Sequence, residues 1–245
     1  MENSERYETD KIRSLGIWDL LKKNRFLSRF ANFIDPPDPV VTTKKSRLRI
    51  PTLLENLGRT EKCLNIGSGS TKYCKSIVNV DLFPMEKVDV IGDAAFLPFK
   101  EEIFSLVICQ AVLEHVENPS QSVKEIQRVL KKKGIVYVEI PFFQGFHATA
   151  LYSDYQRYTI SGIQLLFHEF KYLEKGVLAG PSSAVAWTLR EFLAILFSFN
   201  NIYLYRIFNL IFGWLTVPLK YLDYFLEKNR FAIQIASGFF FIGKK

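Results

Sequence analysis

The strongest constraint on the fold is an alternation of short apolar runs with longer polar or amphipathic segments between residues 59 and 141. Such an alternation is typical of β–α units and predicts a mostly parallel sheet. A helix is predicted over Pro119–Lys132, where apolar residues recur at helical spacing and Gly134 follows as a stop. The predicted strands of this region are Cys63–Ile66, Ile77–Asp81, Val88–Ile91, Leu106–Cys109 and Ile135–Ile140.

The first apolar run, CLNIGSGS at positions 63–70, ends in two glycines, Gly67 and Gly69. Glycines at the end of a buried strand allow a sharp turn and a close approach of a ligand to the backbone. A pyrophosphate-binding GxGxxG turn would need a small residue at position 72, where the chain has Lys72. Eleven residues separate Gly69 from Asp81. The helix after the turn is therefore expected to be short, about two turns.

Polar side chains stand at the ends of the first three predicted strands. Asn65 lies inside the first strand, Asp81 closes the second and Asp93 follows the third. Because the carboxyl ends of parallel strands meet at one crevice, these side chains are expected to reach the same ligand. A carboxylate at position 81 can accept both hydroxyls of a ribose, and one at position 93 can accept an adenine amino group. The alternative for Asp93 is a local role, capping the turn before Leu97.

Four motifs follow one another in this region: LNIGSGS, VNVD, GDAAFLPF and FSLVICQAVLEHVENPSQSVKEIQRVLKKKGIVYVEIP. In this order and spacing they resemble the class I S-adenosylmethionine-dependent methyltransferases, of the type 11-like domain group. The resemblance covers Lys62–Pro141, roughly a third of the chain. It implies an α/β fold with a Rossmann-like, doubly wound, seven-stranded sheet whose last strand is antiparallel.

The resemblance also implies S-adenosylmethionine as cofactor and assigns residues to it. No metal is expected, since the three cysteines have no metal-ligand spacing. Gly67 and Gly69 would pass beneath the methionine part and the ribose, Asp81 would hold the ribose hydroxyls, and Gln110 would face the sulfonium. The full implied set is Asn65, Gly67, Ser68, Gly69, Asp81, Leu82, Asp93, Ala94 and Gln110. Asn65 departs from the family, which has an acidic residue at that position.

The loop after the fifth predicted strand gathers polar and aromatic side chains that suit a sugar or phosphorylated acceptor. The expected substrate-binding residues are Tyr152, Asp154, Tyr155, Arg157 and Tyr158. Their H…DYxRYT pattern is similar to that of relatives acting in cell-surface sugar pathways. The alternative for Asp154 and Arg157, three residues apart, is a structural ion pair.

A hydroxyl acceptor must lose a proton during methyl transfer, so a general base is sought near this loop. His147 is the preferred candidate, because it lies in the loop and histidine is the side chain type that ordinarily titrates near neutrality. His115 is the second candidate, with the orientation of a loop by hydrogen bonding as its alternative role.

The last third of the chain is rich in aromatic residues and interrupts the final hairpin of the sheet. Strands are predicted at Tyr172–Leu178 and Ile235–Ile242, with a helical insertion at about 181–230 between them. Its segment Phe192–Val217 is long enough to cross a bilayer as one helix. However, Arg206 near the middle would cost roughly 2.5–3.5 kcal/mol, and a single span would separate the last strand from its sheet.

Two helices broken near Asn200 and Asn201 avoid both problems. They would form a hydrophobic flap that contacts a membrane surface through residues 182–229, with an internal lid or a dimer face as the alternatives.

The remaining expectations concern organisation and compartment. Residues 1–58, with a basic helix at Asp10–Ile34, are expected to pack on or cap a methyltransferase domain at 59–245. The net charge of +7 permits an anionic partner, but the basic residues are scattered outside any nucleic-acid-binding module, so no nucleic acid is expected. The polar N-terminus and unpaired cysteines indicate a cytoplasmic protein, peripheral on the inner membrane face if it binds lipid.

The predicted function is therefore S-adenosylmethionine-dependent methyl transfer, with O-methylation favoured. The acceptor is expected to be a sugar or a lipid-linked glycan intermediate, and a quinone or other lipid is the alternative substrate. From a different class, the chain could be a non-catalytic methyltransferase-like scaffold or partner subunit, which the departure at Asn65 favours. The oligomeric state is left open.

Overall fold

The structure, a computed structural model, describes residues 35–58, 60–148 and 151–245. The basic helix predicted at Asp10–Ile34 lies outside the described residues. The strands are β1 Cys63–Ile66, β2 Ile77–Asp81, β3 Val90–Ile91, β4 Phe104–Gln110, β5 Leu130–Pro141, β6 Lys171–Ala179 and β7 Gly238–Lys244. The helices are α1 Lys44–Arg47, α2 Arg49–Glu55, α3 Pro119–Val129, α4 Ile160–Leu166, α5 Pro181–Ser198, α6 Ile202–Lys220 and α7 Asp223–Leu226, with short 3-10 turns at Leu113–His115 and Ala232–Ile235.

The strands form one seven-stranded sheet in the order β3-β2-β1-β4-β5-β7-β6. Strands β1 to β5 are parallel, and β7 runs antiparallel to both β5 and β6. The chain order reverses between β1 and β4, which is the switch point where ligands bind in doubly wound sheets. The predicted fold class, including the antiparallel last strand and the helical insertion before it, is confirmed.

Alternating side chains of the strands bury two apolar cores, one on each face of the sheet. On one face Leu64, Val107 and Val138 pack against α3, and on the other Tyr137 and Phe240 pack with α2. This alternation fixes which strand residues can face a given layer, because neighbours in a strand point to opposite faces.

Three sequence-based boundaries were wrong. No helix forms between Gly69 and Asp81; these residues make turns, and the Thr71 carbonyl accepts a hydrogen bond from the buried Asn79 side chain at 2.8 Å. Helix α3 ends at Val129 rather than at position 132, because the apolar Leu130 pairs with Phe104 at the start of β5. The strand predicted from Val88 is shortened to β3; β1 and β2 have their predicted bounds, and the other four strands differ by a few residues at their ends.

The insertion is a helical hairpin of α5 and α6, as predicted from the break near Asn200. Asn201 caps α6, and its side chain accepts hydrogen bonds from the N–H groups of Tyr203 and Leu204. At the base of the hairpin the buried Asp223 carboxylate accepts hydrogen bonds from the N–H groups of Ser182 and Ser183, at 2.8 and 2.9 Å. This cap attaches the start of α5 to α7.

Candidate functional site

A cavity of about 610 Å³ opens at the carboxyl ends of β1, β2, β3 and β4. Its volume lies in the range of sites that bury a cofactor-sized ligand. Six of the residues assigned to the cofactor from the sequence line it: Gly67, Gly69, Asp81, Leu82, Asp93 and Ala94. The two acidic strand ends therefore meet at one cavity.

The glycine turn that forms the floor of this cavity uses both glycines, for different reasons. Gly67 and Gly69 have φ angles of +62° and +51°, in the left-handed region that favours glycine. A Cβ on Gly67 would lie 2.2 Å from Cγ2 of Val112, whereas one on Gly69 would meet nothing within 4 Å in the described structure. The chain is thus packed tightly beneath Gly67, and the backbone at Gly69 is open to a ligand.

Asp81 is held in a fixed orientation at the edge of the cavity. Its Oδ2 accepts a hydrogen bond from the N–H of Gly69 at 2.8 Å, and its Oδ1 accepts one from the N–H of Phe83 at 3.1 Å. An ionised carboxylate has about four acceptor positions, so this arrangement leaves capacity for two further donors. A pair of neighbouring hydroxyl groups matches that capacity.

Asp93 makes the turn contact that was the alternative for it and also borders the cavity, where its adenine-binding role stays a prediction. Its Oδ1 accepts a hydrogen bond from the N–H of Ala95 at 2.8 Å, which stabilises the turn before Leu97, and its side chain also borders the cavity. Apolar side chains beside it supply a surface suited to a planar aromatic ring. Sequence reasoning missed these wall residues, which are Phe83, Met85, Ala95 and Phe96.

Three residues assigned to the cofactor do not line the cavity. Asn65 lies on the opposite face of β1 from Leu64 and donates a hydrogen bond to Asn79 Oδ1 at 3.2 Å. Ser68 is buried in the turn, and its N–H donates to the carbonyl of Val80. Gln110 faces the same side of the sheet as Asn65.

Gln110 belongs to a polar network that the sequence did not reveal. It donates to Glu139 Oε2 at 2.8 Å and accepts a hydrogen bond from the Tyr73 hydroxyl, and Tyr137 donates to the other oxygen of Glu139. Burial raises the pKa of Glu139 above its ordinary value and raises that of Tyr73 to about 12. The signal for this network was the register pair of Gln110 and Glu139 at the ends of adjacent strands.

The two histidines considered as bases lie against each other, with ring centroids 5.0 Å apart and nearly perpendicular planes. Only His115 of the two lines the cavity. Its Nδ1 bonds the carbonyl of Ser153 at 2.6 Å, and the ring of Tyr152 lies 4.3 Å from its own. The loop-orienting hydrogen bond weighed for His115 is therefore present, and His115 also has access to the cavity.

His147 packs on the His115 ring and is not among the residues that line the cavity. Its N–H donates to Asp154 Oδ2 at 2.9 Å, and its ring lies 5.9 Å from that of Trp187 in α5. A Cβ on Gly145 would come within 2.5 Å of Trp187 Nε1, so the base of the helical hairpin packs directly on this loop. The preference for His147 as the base stays a prediction, although His115 is nearer to the cavity.

The residues expected to bind the acceptor divide into two groups. Tyr152 and Tyr155 line the cavity, and the Tyr155 hydroxyl donates to Glu117 Oε1 at 2.9 Å. Asp154 and Arg157 form the ion pair that was the alternative for them, with Arg157 Nη2 donating to Asp154 Oδ2 at 2.6 Å. Tyr158 packs against the larger apolar core.

The Asp154 carboxylate is stabilised in its ionised form. Burial alone would raise its pKa, but hydrogen bonds from Arg157 and from the backbone of His147 outweigh that effect and lower it below the ordinary value. Asp154 therefore stabilises the loop between β5 and α4, here named the acceptor-side loop because the acceptor-binding residues were expected in it.

The comparisons with known proteins concern the same region of the chain. Residues 52–138 match the family model described as a methyltransferase domain. The match begins within α2, so it reaches into the segment assigned to 1–58 from the sequence.

Two uncharacterized proteins of Methanocaldococcus jannaschii are 33% and 32% identical to this chain over 88 and 74 residues. The alignments cover 31% and 30% of this chain and 43% and 32% of the relatives, so the chain spans less than half the length of either. The structure of Haemonchus contortus phosphoethanolamine N-methyltransferase 2 in complex with S-adenosyl-L-methionine superposes with a TM-score of 0.51 at 16% identity, covering 94% of this chain and 60% of that one. This last likeness shows a shared fold.

Proposed function

Residues 52–138 form a class I, S-adenosylmethionine-dependent methyltransferase domain, and on that premise we propose that the protein transfers a methyl group from this cofactor to a sugar or lipid-linked acceptor. The observation that carries the proposal is the meeting of Asp81 and Asp93 at one cavity, above the open backbone of Gly69. This set of donors and acceptors fits an adenosine, since it offers one carboxylate for two ribose hydroxyls and another for the adenine amino group.

The bound cofactor would supply a methyl group already activated by a positive sulfur. The protein has to align the acceptor in line with that methyl, exclude water and accept a proton from a hydroxyl acceptor. His115 suits the last task, because its ring lines the cavity and its Nδ1 is occupied by the Ser153 carbonyl. With Nδ1–H donating, Nε2 is left as the proton acceptor.

The acceptor would enter past Tyr152 and Tyr155, which line the cavity, with the Tyr152 ring against that of His115. Trp187, at the base of the helical hairpin, contacts the His147 ring of the same acceptor-side loop. The hairpin is therefore adjacent to the acceptor side of the cavity. A lipid-linked acceptor presented by a membrane would meet this side first if the hairpin rested on the bilayer.

The outer surface of the hairpin is apolar and exposed, which favours a phospholipid surface as its partner. Residues Ile202–Leu226 are apolar and long enough to cross a membrane by length and composition alone, and only 11% of their most apolar window is buried. At the tip, the Phe199 side chain is 80% exposed, which is unfavourable for an aromatic group in water. Its backbone has a left-handed φ of +47°, an uncommon conformation for a bulky residue. Exposed apolar residues also cover the flanks of both helices, including Phe192, Ile195, Leu196, Tyr203, Ile207 and Leu215.

The site proposal is tested by calorimetric titration of the purified chain with S-adenosylmethionine and its demethylated product. A methyltransferase is expected to bind both, and to transfer labelled methyl from the cofactor into a membrane lipid extract or a pool of nucleotide sugars. Binding of both ligands without transfer to either acceptor pool would contradict the proposed acceptor class. Binding of neither would favour the second candidate, a non-catalytic scaffold.

Membrane binding is tested by flotation with vesicles of phosphatidylcholine and phosphatidylglycerol. The double variant Phe192→Asp/Ile195→Asp is expected to lose most flotation, because two charges on the hairpin must leave water to bind. The matched control is Leu165→Asp on α4, which is 74% exposed but outside the hairpin and should float like the wild type. Absence of flotation by the wild type, with a dimer that the double variant abolishes, would overturn the membrane proposal in favour of a second copy of the chain.

A further inference from the structure

Glu114 is a buried carboxylate that the proposed function leaves unused. It is 0% exposed in the 3-10 turn after β4, and neither of its oxygens has a hydrogen-bond donor anywhere in the described ranges. An isolated buried carboxylate costs several kcal/mol, so such a group is normally paired with a cation or protonated.

Two histidines point the same ring atom at this carboxylate. Nε2 of His115 and Nε2 of His147 each lie 3.8 Å from Oε1 of Glu114, and one potential ligand atom from each of the three residues lies within 4.8 Å of the others. A separation of 3.8 Å is too long for a hydrogen bond. Two ligands of a tetrahedral zinc ion with bonds near 2.1 Å are about 3.4 Å apart. To accommodate an ion, each histidine would move about 0.4 Å closer to Glu114, and the ligand atoms of the two histidines, which lie within 4.8 Å of each other, would approach by up to about 1.4 Å.

Each histidine has an oxygen near Nδ1 that can accept its hydrogen bond and so leave Nε2 available as a metal ligand. His115 Nδ1 bonds the Ser153 carbonyl at 2.6 Å, which fixes the tautomer with an available Nε2. His147 Nδ1 lies 3.4 Å from both Asp154 Oδ2 and the Gly145 carbonyl, to which it can donate, and 3.2 Å from Arg157 Nη2, which can only donate to it. Metal binding at Nε2 would select the tautomer in which Nδ1 donates to Asp154 or Gly145. Arg157 neutralises Asp154, so the carboxylate of Glu114 is the uncompensated charge of the cluster.

We propose that Glu114, His115 and His147 bind a divalent transition-metal ion of the zinc class. Two imidazoles and one carboxylate suit Zn²⁺, Co²⁺ or Fe²⁺ and disfavour Mg²⁺, which prefers oxygen ligands and retains its waters. Because His115 also lines the cavity, the ion would border the acceptor. With His115 Nε2 occupied as a ligand, the ion would replace proton acceptance by this histidine and would instead lower the pKa of an acceptor hydroxyl. That last role rests on the proposed methyl transfer, whereas ion binding itself does not.

The test is titration of the chain, expressed without a polyhistidine tag, with Zn²⁺ and with Co²⁺ as a spectroscopic probe. One equivalent is expected to bind, with visible Co²⁺ bands typical of nitrogen and oxygen ligands in a site of low coordination number. Loss of a residue that only hydrogen-bonds a metal ligand weakens metal binding by roughly 10–100-fold. Glu114→Gln and His147→Ala each remove a ligand and should weaken Zn²⁺ binding by at least that much. His168→Ala is the matched control, since it removes the one remaining histidine, which is exposed, and should leave affinity unchanged.

Thermal unfolding separates loss of the site from loss of the fold. In EDTA, Glu114→Gln should be at least as stable as the wild type, because it removes an uncompensated buried charge. With excess Zn²⁺ the wild type should gain stability and the variant should not. Absence of stoichiometric Zn²⁺ or Co²⁺ binding, or wild-type affinity in Glu114→Gln, would overturn the proposed site whether or not the chain transfers methyl groups.

Discussion

At the scale of single residues, the sequence predicted the location of a side chain wherever its position in the sheet determines that location. Asp81 and Asp93 could be brought to one cavity because both stand at carboxyl ends of parallel strands, whose positions the topology fixes. Asn65 was assigned to the same place, but it is inside β1 and its side chain points to the opposite layer of the sheet. Side chains alternate between the two faces of a strand, and this alternation places Asn65 on the face away from the cavity.

The two glycines of the turn give a matched pair of variants. Gly67→Ala should lower the free energy of unfolding by roughly 2–5 kcal/mol, because left-handed strain adds to the clash with Val112. Gly69→Ala should cost only about 1–2 kcal/mol, the strain alone, but should weaken cofactor binding. Urea unfolding of both variants checks the difference. Equal destabilisation of the two would contradict the packing described beneath Gly67.

The Asp154–Arg157 pair predicts a specific dependence of stability on pH. The pKa of Asp154 is lower in the folded state than in the unfolded chain, where it is about 3.9. Its contribution to folding stability is therefore fully present above the unfolded pKa and is lost as the pH falls through the folded pKa. Asp154→Asn should therefore be less stable by roughly 2–4 kcal/mol at pH 7, with a difference that shrinks below about pH 4. Urea unfolding at several pH values measures it. A difference that persists unchanged at pH 2.5 would show that the lost stability does not come from the charge.

At the scale of elements, β1 and β2 were predicted to the residue because apolar runs there end at glycine or at an acidic residue. The helix expected after β1 does not form, because its residues make tertiary contacts instead. Tyr73 packs beneath the sheet and Asn79 holds the Thr71 carbonyl, so the short connection is used for packing rather than for helical turns. The end of α3 was missed because Leu130 continues the apolar period of the helix, although it pairs in the sheet.

The helical hairpin is attached at its base rather than at its tip, and its two caps test this. Asp223→Ala should destabilise the whole domain by about 2 kcal/mol or more, because it leaves two buried N–H groups of α5 without acceptors. Asn201→Ala removes the exposed cap of α6 and should cost about 1 kcal/mol and only loosen the tip. Hydrogen exchange of α5 amides reports the difference. Loss of protection throughout α5 in Asn201→Ala would contradict it.

At the scale of the whole molecule, the cofactor side of the cavity and the acceptor side differ in how far the sequence predicts them. The cofactor side is built from strand ends that are near each other by topology. The acceptor side brings Glu114 and His115 against His147 through a loop whose path no periodicity encodes. The histidines were identified as candidates, but Glu114 was not, since its importance lies in its complete burial.

The most direct test of the central claim compares S-adenosylhomocysteine with its 2′,3′-dideoxy analogue in calorimetric titrations of the wild type and Asp81→Ala. Hydrogen bonds to a charged acceptor contribute roughly 1.5–3 kcal/mol each, so the wild type should prefer the hydroxylated ligand by about 100-fold or more. Asp81→Ala should bind both ligands weakly and with little preference. Each preference is measured within one protein, so any disturbance of the turn at Gly69 cancels. Equal affinity of the wild type for the two ligands, or an unchanged preference in Asp81→Ala, would contradict the account.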